Sequence, residues 1–131
     1  MKTYAFRLRP GQDLRTEIDR FVEEKNIKAG IILTCVGNLT KVVVRMASAK
    51  VIKTYTGSFE IISLVGTVEK GNDHLHIALS DDKGNAFGGH LKNGSIVGVT
   101  AEVVIAEFDN LIFRRVFDKN TGYDELVVDE I

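Results

Sequence analysis

The chain has 131 residues, 44% of them hydrophobic, enough for one compact domain with its own core. Its 17 basic and 18 acidic residues leave a formal net charge of -1, so nothing in the total charge draws it to phosphate backbones. One cysteine excludes an internal disulfide framework, and no run approaches the ~18 apolar residues of a membrane-spanning helix.

The first predicted element is a half-buried strand, TYAFRLR from Thr3 to Arg9, broken by the only proline and a glycine in RPGQD. Charges interrupt the apolar residues of this opening segment, so it lacks the hydrophobic centre of a signal peptide and a cytoplasmic protein is expected. From Asp13 to Lys25 the period changes. Leu14, Ile18, Phe21 and Val22 fall at helical spacing behind Asp13, a plausible N-cap, which predicts the one substantial helix.

Strand-like runs follow: IILTCVG, KVVVRMA, KVIKTY, SFEIISLVGTVE, HLHIALS, AFGGHL, GVTAEVVIAEF and LIFRRVF. They are rich in β-branched and aromatic residues and separated by Gly, Asn and Asp. Cys35, inside GIILTCVG, reads as a buried, inert thiol in a reducing compartment. The tail over 119–131 begins with turn chemistry and ends acidic, so it either docks as a short element or frays. Residues 1–131 are therefore expected to form one α+β domain dominated by antiparallel sheet, with no repeat or linker dividing it.

All three histidines lie in one stretch, HLHIALSDDKGNAFGGH. On a strand, His74 and His76 share one face while Leu75 and Ile77 take the other. His90 joins them if Asp82, Lys83 and Gly84 form a three-residue loop, because Asp81 then pairs with Asn85 and His76 with His90. A four-residue loop would send His90 to the opposite face unless Gly88 and Gly89 form a bulge. Three imidazoles on one sheet face match a three-ligand site for zinc or another divalent transition metal with its fourth position open. The alternative is an ordinary polar strand face.

Glu60 in GSFEIISL and Glu102 in TAEVVIAEF are carboxylates embedded in apolar strands. Each either serves the metal, as a ligand, an orienting group or a catalytic proton carrier, or faces solvent across the pleat. Asp73 and Asp81 read as turn residues.

The order of motifs resembles the plants and prokaryotes conserved (PPC) domain family: GQDL before the helix, GIILTCVGNL, GSFEIISLVGTV, HLHIALSDDKGNAFGGHL and GVTAEVVIAEF. The likeness runs from about Thr3 to Phe117. It implies a compact α+β fold assembled as a homotrimer. In some prokaryotic members the H-x-H and GGH histidines hold a metal, which corresponds to His74, His76 and His90. Plant members carry the domain behind AT-hooks, where it mediates self-association and contacts with regulatory proteins, and prokaryotic members share a DNA-binding label.

No basic Gly-Arg-Pro hook is present here, and RLRPGQ reads as a strand entering a turn. DNA binding is thus not supported by charge. Two readings remain beside it. One is a trimeric module that binds a small molecule or regulatory protein. The other is a zinc enzyme in which Glu60 or Glu102 moves protons around a metal-bound water. The serines lie outside any nucleophile-elbow pattern.

Overall fold

Strand β1 (Lys2–Leu8) ends before Pro10, and the chain enters helix α1 (Leu14–Glu24) at the predicted cap. The Asp13 carboxylate accepts from the Thr16 amide at 3.1 Å and, with its other oxygen, from the Gly94 amide at 2.6 Å. One cap therefore starts the helix and fastens it to a distant loop. Leu14, Ile18 and Val22 are buried, and Phe21 stacks on Phe6 at 4.2 Å.

The computed structural model describes residues 1–131, and after α1 every element is a strand: β2 (Gly30–Arg45), β3 (Ile52–Glu69), β4 (Asn72–Ser80), β5 (Ala86–Leu91), β6 (Ile96–Glu107), β7 (Leu111–Asp118) and β8 (Tyr123–Glu130). Six strands form an antiparallel sheet in the order β1-β6-β2-β3-β4-β5, the expected α+β fold. β5 also pairs back onto β2 through Val44↔Leu91 and Arg45↔His90, closing β2 to β5 into a ring. Leu64, Leu75, Ile77, Leu79, Leu91, Val42 and Val44 belong to the buried core, and the alternate positions of the ring face outward. Cys35 is buried as predicted, and burial pushes its thiol up to about 12.

Two pairs of predicted strands are single long ones. IILTCVG and KVVVRMA join as β2, and KVIKTY and SFEIISLVGTVE join as β3. The Gly and Asn between the first pair mark a register shift between Leu39 and Lys41 rather than a reversal. A bulge bends a strand that a turn would have ended, and this bending lets the sheet close on itself. The acidic tail is ordered: β8 pairs with β7 from Leu111↔Glu130 to Asp118↔Tyr123, forming a hairpin of its own.

Candidate metal centre

The loop between β4 and β5 takes the three-residue form. Gly84 has φ +83°, the left-handed region this loop needs, and Asp81 bonds to Asn85 through backbone at 3.0 Å. The Asp81 carboxylate also accepts from the Lys83 and Asn85 amides at 2.9 and 2.8 Å, so this residue is the predicted turn former. The register that follows is Ser80↔Ala86 through His76↔His90, with no bulge at Gly88 or Gly89.

That register assembles one row across four strands: Arg45 on β2, His90 on β5, His76 on β4 and Val65 on β3. His74 lies on the same face, opposite Thr67. The three imidazole centroids are 4.9, 5.4 and 5.5 Å apart, and one nitrogen from each ring lies within 4.8 Å of the others. Zinc bonds of roughly 2.0–2.1 Å at tetrahedral angles need nitrogens about 3.3 Å apart. The rings therefore close on an ion by small side-chain rotations. Burial, then the Arg45 charge, pulls His90 down to about 4, while burial and then His76 lower His74. Both rings are neutral at pH 7, the form that offers a lone pair to a metal.

The cluster opens on a cavity of about 780 Å³ whose far side is the β7–β8 hairpin, through Arg115, Tyr123, Asp124 and Glu125. Arg115 bonds to Glu69 Oε1 at 3.1 Å and to Thr67 Oγ1 at 3.0 Å, which ties the hairpin to β3. Glu69 is almost fully buried. Burial raises its pKa, opposed by Arg115. Next to His74, the Asp73 side chain is 1% exposed and pairs with Arg15 Nε at 3.0 Å. Burial disfavours its charge, but the bonds from Asp19 and Arg15 outweigh that and hold its carboxyl below the usual range.

Glu60 and Glu102, the sequence candidates for catalysis, are both exposed and neither lines this cavity. Strict alternation turns each to solvent, Glu60 beside buried Phe59 and Ile61, Glu102 beside buried Ala101 and Val103. Asp73 is not a turn residue but half of a buried ion pair. The carboxylates that line the cavity with the histidines are Asp73, Asp124 and Glu125, and the cations are Arg45 and Arg115. Only the alternation around VVVR hinted at Arg45, since Val44 points inward and its neighbour must point out.

Histidine titration should be visible in the stability of metal-free protein. His90 has an unperturbed value of 6.5 and is held at about 4 in the folded chain, so the unfolded chain takes up the proton first. Its contribution is present above pH 6.5 and is lost as pH falls through 4. Asp19, pushed up to about 8 by burial and by its hydrogen bond with Asp73, titrates in the opposite sense, so a difference measurement is needed. Urea midpoints of chelated wild type and His90→Asn are expected to converge between about pH 7 and about pH 4.5, with wild type losing more. Parallel profiles would refute the assignment.

Residues 1–109 match the family model described as the Plants and Prokaryotes Conserved (PCC) domain. A solved hypothetical protein of Salmonella enterica is 41% identical, with a TM-score of 0.96 over 98% of this chain and 94% of that one. A metal-containing protein of Archaeoglobus fulgidus is 31% identical, with a TM-score of 0.85 over 97% and 94%. The bifunctional protein GlmU of Synechococcus sp. (strain JA-3-3Ab) is 36% identical over all of this chain but only 21% of its own length. The chain thus spans about one fifth of that curated relative.

Proposed function

The chain belongs to the Plants and Prokaryotes Conserved (PCC) domain family, and on that footing we propose that it acts as a homotrimeric metal-binding module that recognises a small ligand or a regulatory protein in the cytoplasm. The observation that carries the proposal is the set of three imidazole nitrogens within 4.8 Å of one another on one sheet face, open to a cavity. His74, His76 and His90 are the ligands, and zinc is the ion best suited to three neutral imidazoles with a fourth position left open. The metal-containing Archaeoglobus relative supports this reading. Occurrence of the domain as a minor part of a longer protein supports a portable binding role.

Self-association is supported by apolar side chains left exposed on central strands of the sheet: Leu33 and Val36 on β2, Ile62 on β3, and Val99 on β6. Glu60 and Glu102, the proton carriers named for the enzyme reading, are exposed and do not line the cavity, which favours the binding reading. DNA binding has no supporting charge, with the net at -1. No helix is long and apolar enough to cross a membrane.

Protein purified without an affinity tag should carry close to one zinc per chain by elemental analysis. Light scattering should give three times the 14.5 kDa chain mass. Duplex DNA should not be retained, even at low salt. Absence of near-stoichiometric metal after reconstitution overturns the metal assignment, and a monomer overturns the trimer.

A further inference from the structure

Beside the histidines stands a cation without a counter-charge. Arg45 enters no ion pair, and its Nε is buried with no hydrogen-bond partner. Its one side-chain hydrogen bond is from Nη2 to His90 Nδ1 at 3.5 Å. The other cations around the site are satisfied: Arg115 by Glu69, and Arg15 by Asp73. A partly buried guanidinium with no acceptor is costly unless something outside the chain supplies one.

Metal loading sharpens this. An imidazole that gives one nitrogen to a metal carries its proton on the other. If His90 coordinates through Nδ1, that lone pair is used. If it coordinates through Nε2, Nδ1 bears a hydrogen. In either case Arg45 loses its only acceptor, and a divalent ion is added next to it. Arg45 lines the cavity, whose wall also offers Met46, Ala47 and Tyr123.

We propose that this cavity is an anion site, taking a small organic carboxylate between the metal and the Arg45 guanidinium, with its apolar body against Tyr123 and Met46. The assignment rests on the metal reading above for one of its two anchors. Arg45 would supply paired N–H donors to the two oxygens of a planar carboxylate, and a metal held by the three histidines would add its charge through a remaining lone pair of one of them. Asp124 and Glu125, on the facing hairpin, line the same cavity and are the resident carboxylates that could compete, since Asp73 is already held by Arg15.

The test uses the full chain loaded with cobalt(II), whose visible absorption reports directly on a new oxygen ligand, titrated with acetate, benzoate and inorganic phosphate. Both carboxylates should shift the spectrum saturably, benzoate more tightly than acetate. Arg45→Met should weaken both at least about tenfold although the loss of its charge leaves cobalt affinity no lower than in wild type, with Arg45→Lys intermediate because it keeps charge and loses the fork. Equal titration of wild type and Arg45→Met overturns the anion site. Phosphate binding tighter than either carboxylate overturns the carboxylate assignment. Carboxylate binding that emerges only in Glu125→Gln or Asp124→Asn also overturns it, since Arg45 would then be satisfied from within the chain. Calorimetry on metal-free protein separates the two readings: no cobalt uptake together with Arg45-dependent benzoate heat removes the metal and keeps the anion site.

Discussion

Gly66→Ala is expected to cost about 3–5 kcal/mol and to dismantle the histidine face along with the fold. Gly66 has φ +154°, and a Cβ built on it would lie 1.9 Å from the His74 carbonyl oxygen and 2.9 Å from Leu75 Cδ2. The obstacle is backbone of the neighbouring strand, so no side-chain rotation relieves it. β3 and β4 must part at the Gly66↔Leu75 pair, which lies between His74 and His76. Against a total of roughly 5–15 kcal/mol for a domain, such a loss moves the urea midpoint far down. Gly71→Ala is the control. Gly71 also has positive φ, +89°, but a Cβ added there would meet nothing within 4 Å, so only conformational strain of about 1 kcal/mol is incurred. Equal midpoints for the two variants would show that the close approach of β3 to β4 is not what requires glycine at position 66.

The contrast between local and long-range information explains what the sequence disclosed. The helix was readable because its apolar spacing, its cap at Asp13 and its stop lie within a few turns of chain. The His76↔His90 pairing was readable as a condition, because a short loop fixes register and Gly84 favours one loop length. Arg45 was not readable as a neighbour of His90. That contact depends on β5 returning to β2 across 45 residues, after β3 and β4 have intervened. Arg115 and Glu69 escaped for the same reason: each is an ordinary charge in its own strand and becomes a buried pair only when the terminal hairpin folds over β3. Glu60 and Glu102 show the converse. Alternation already offered solvent exposure as the simpler account, and the strands follow it.

The larger functional effect is expected from His76→Ala, which should abolish stoichiometric metal and with it the stability that metal confers. His76 joins the other two rings through the sheet itself, 4.9 Å from His74 on its own strand and 5.5 Å from His90, its cross-strand partner. Its removal leaves two imidazoles whose centroids are 5.4 Å apart, too few ligands to complete a tetrahedral site. The expected loss in zinc affinity is at least about 100-fold, on the scale of removing a group that metal binding depends on. At a free metal concentration about 100 times the dissociation constant, wild type gains about 2.7 kcal/mol from binding, and the variant gains almost none. Without metal the two proteins should agree within about 0.5 kcal/mol, since the His76 side chain is exposed and stands on the face opposite buried Leu75 and Ile77. His76→Cys keeps a zinc ligand at the same position and should recover binding. Calorimetric titration with zinc, read beside urea midpoints with and without chelator, checks all three expectations. If His76→Ala binds zinc as wild type does, the three-histidine centre is wrong.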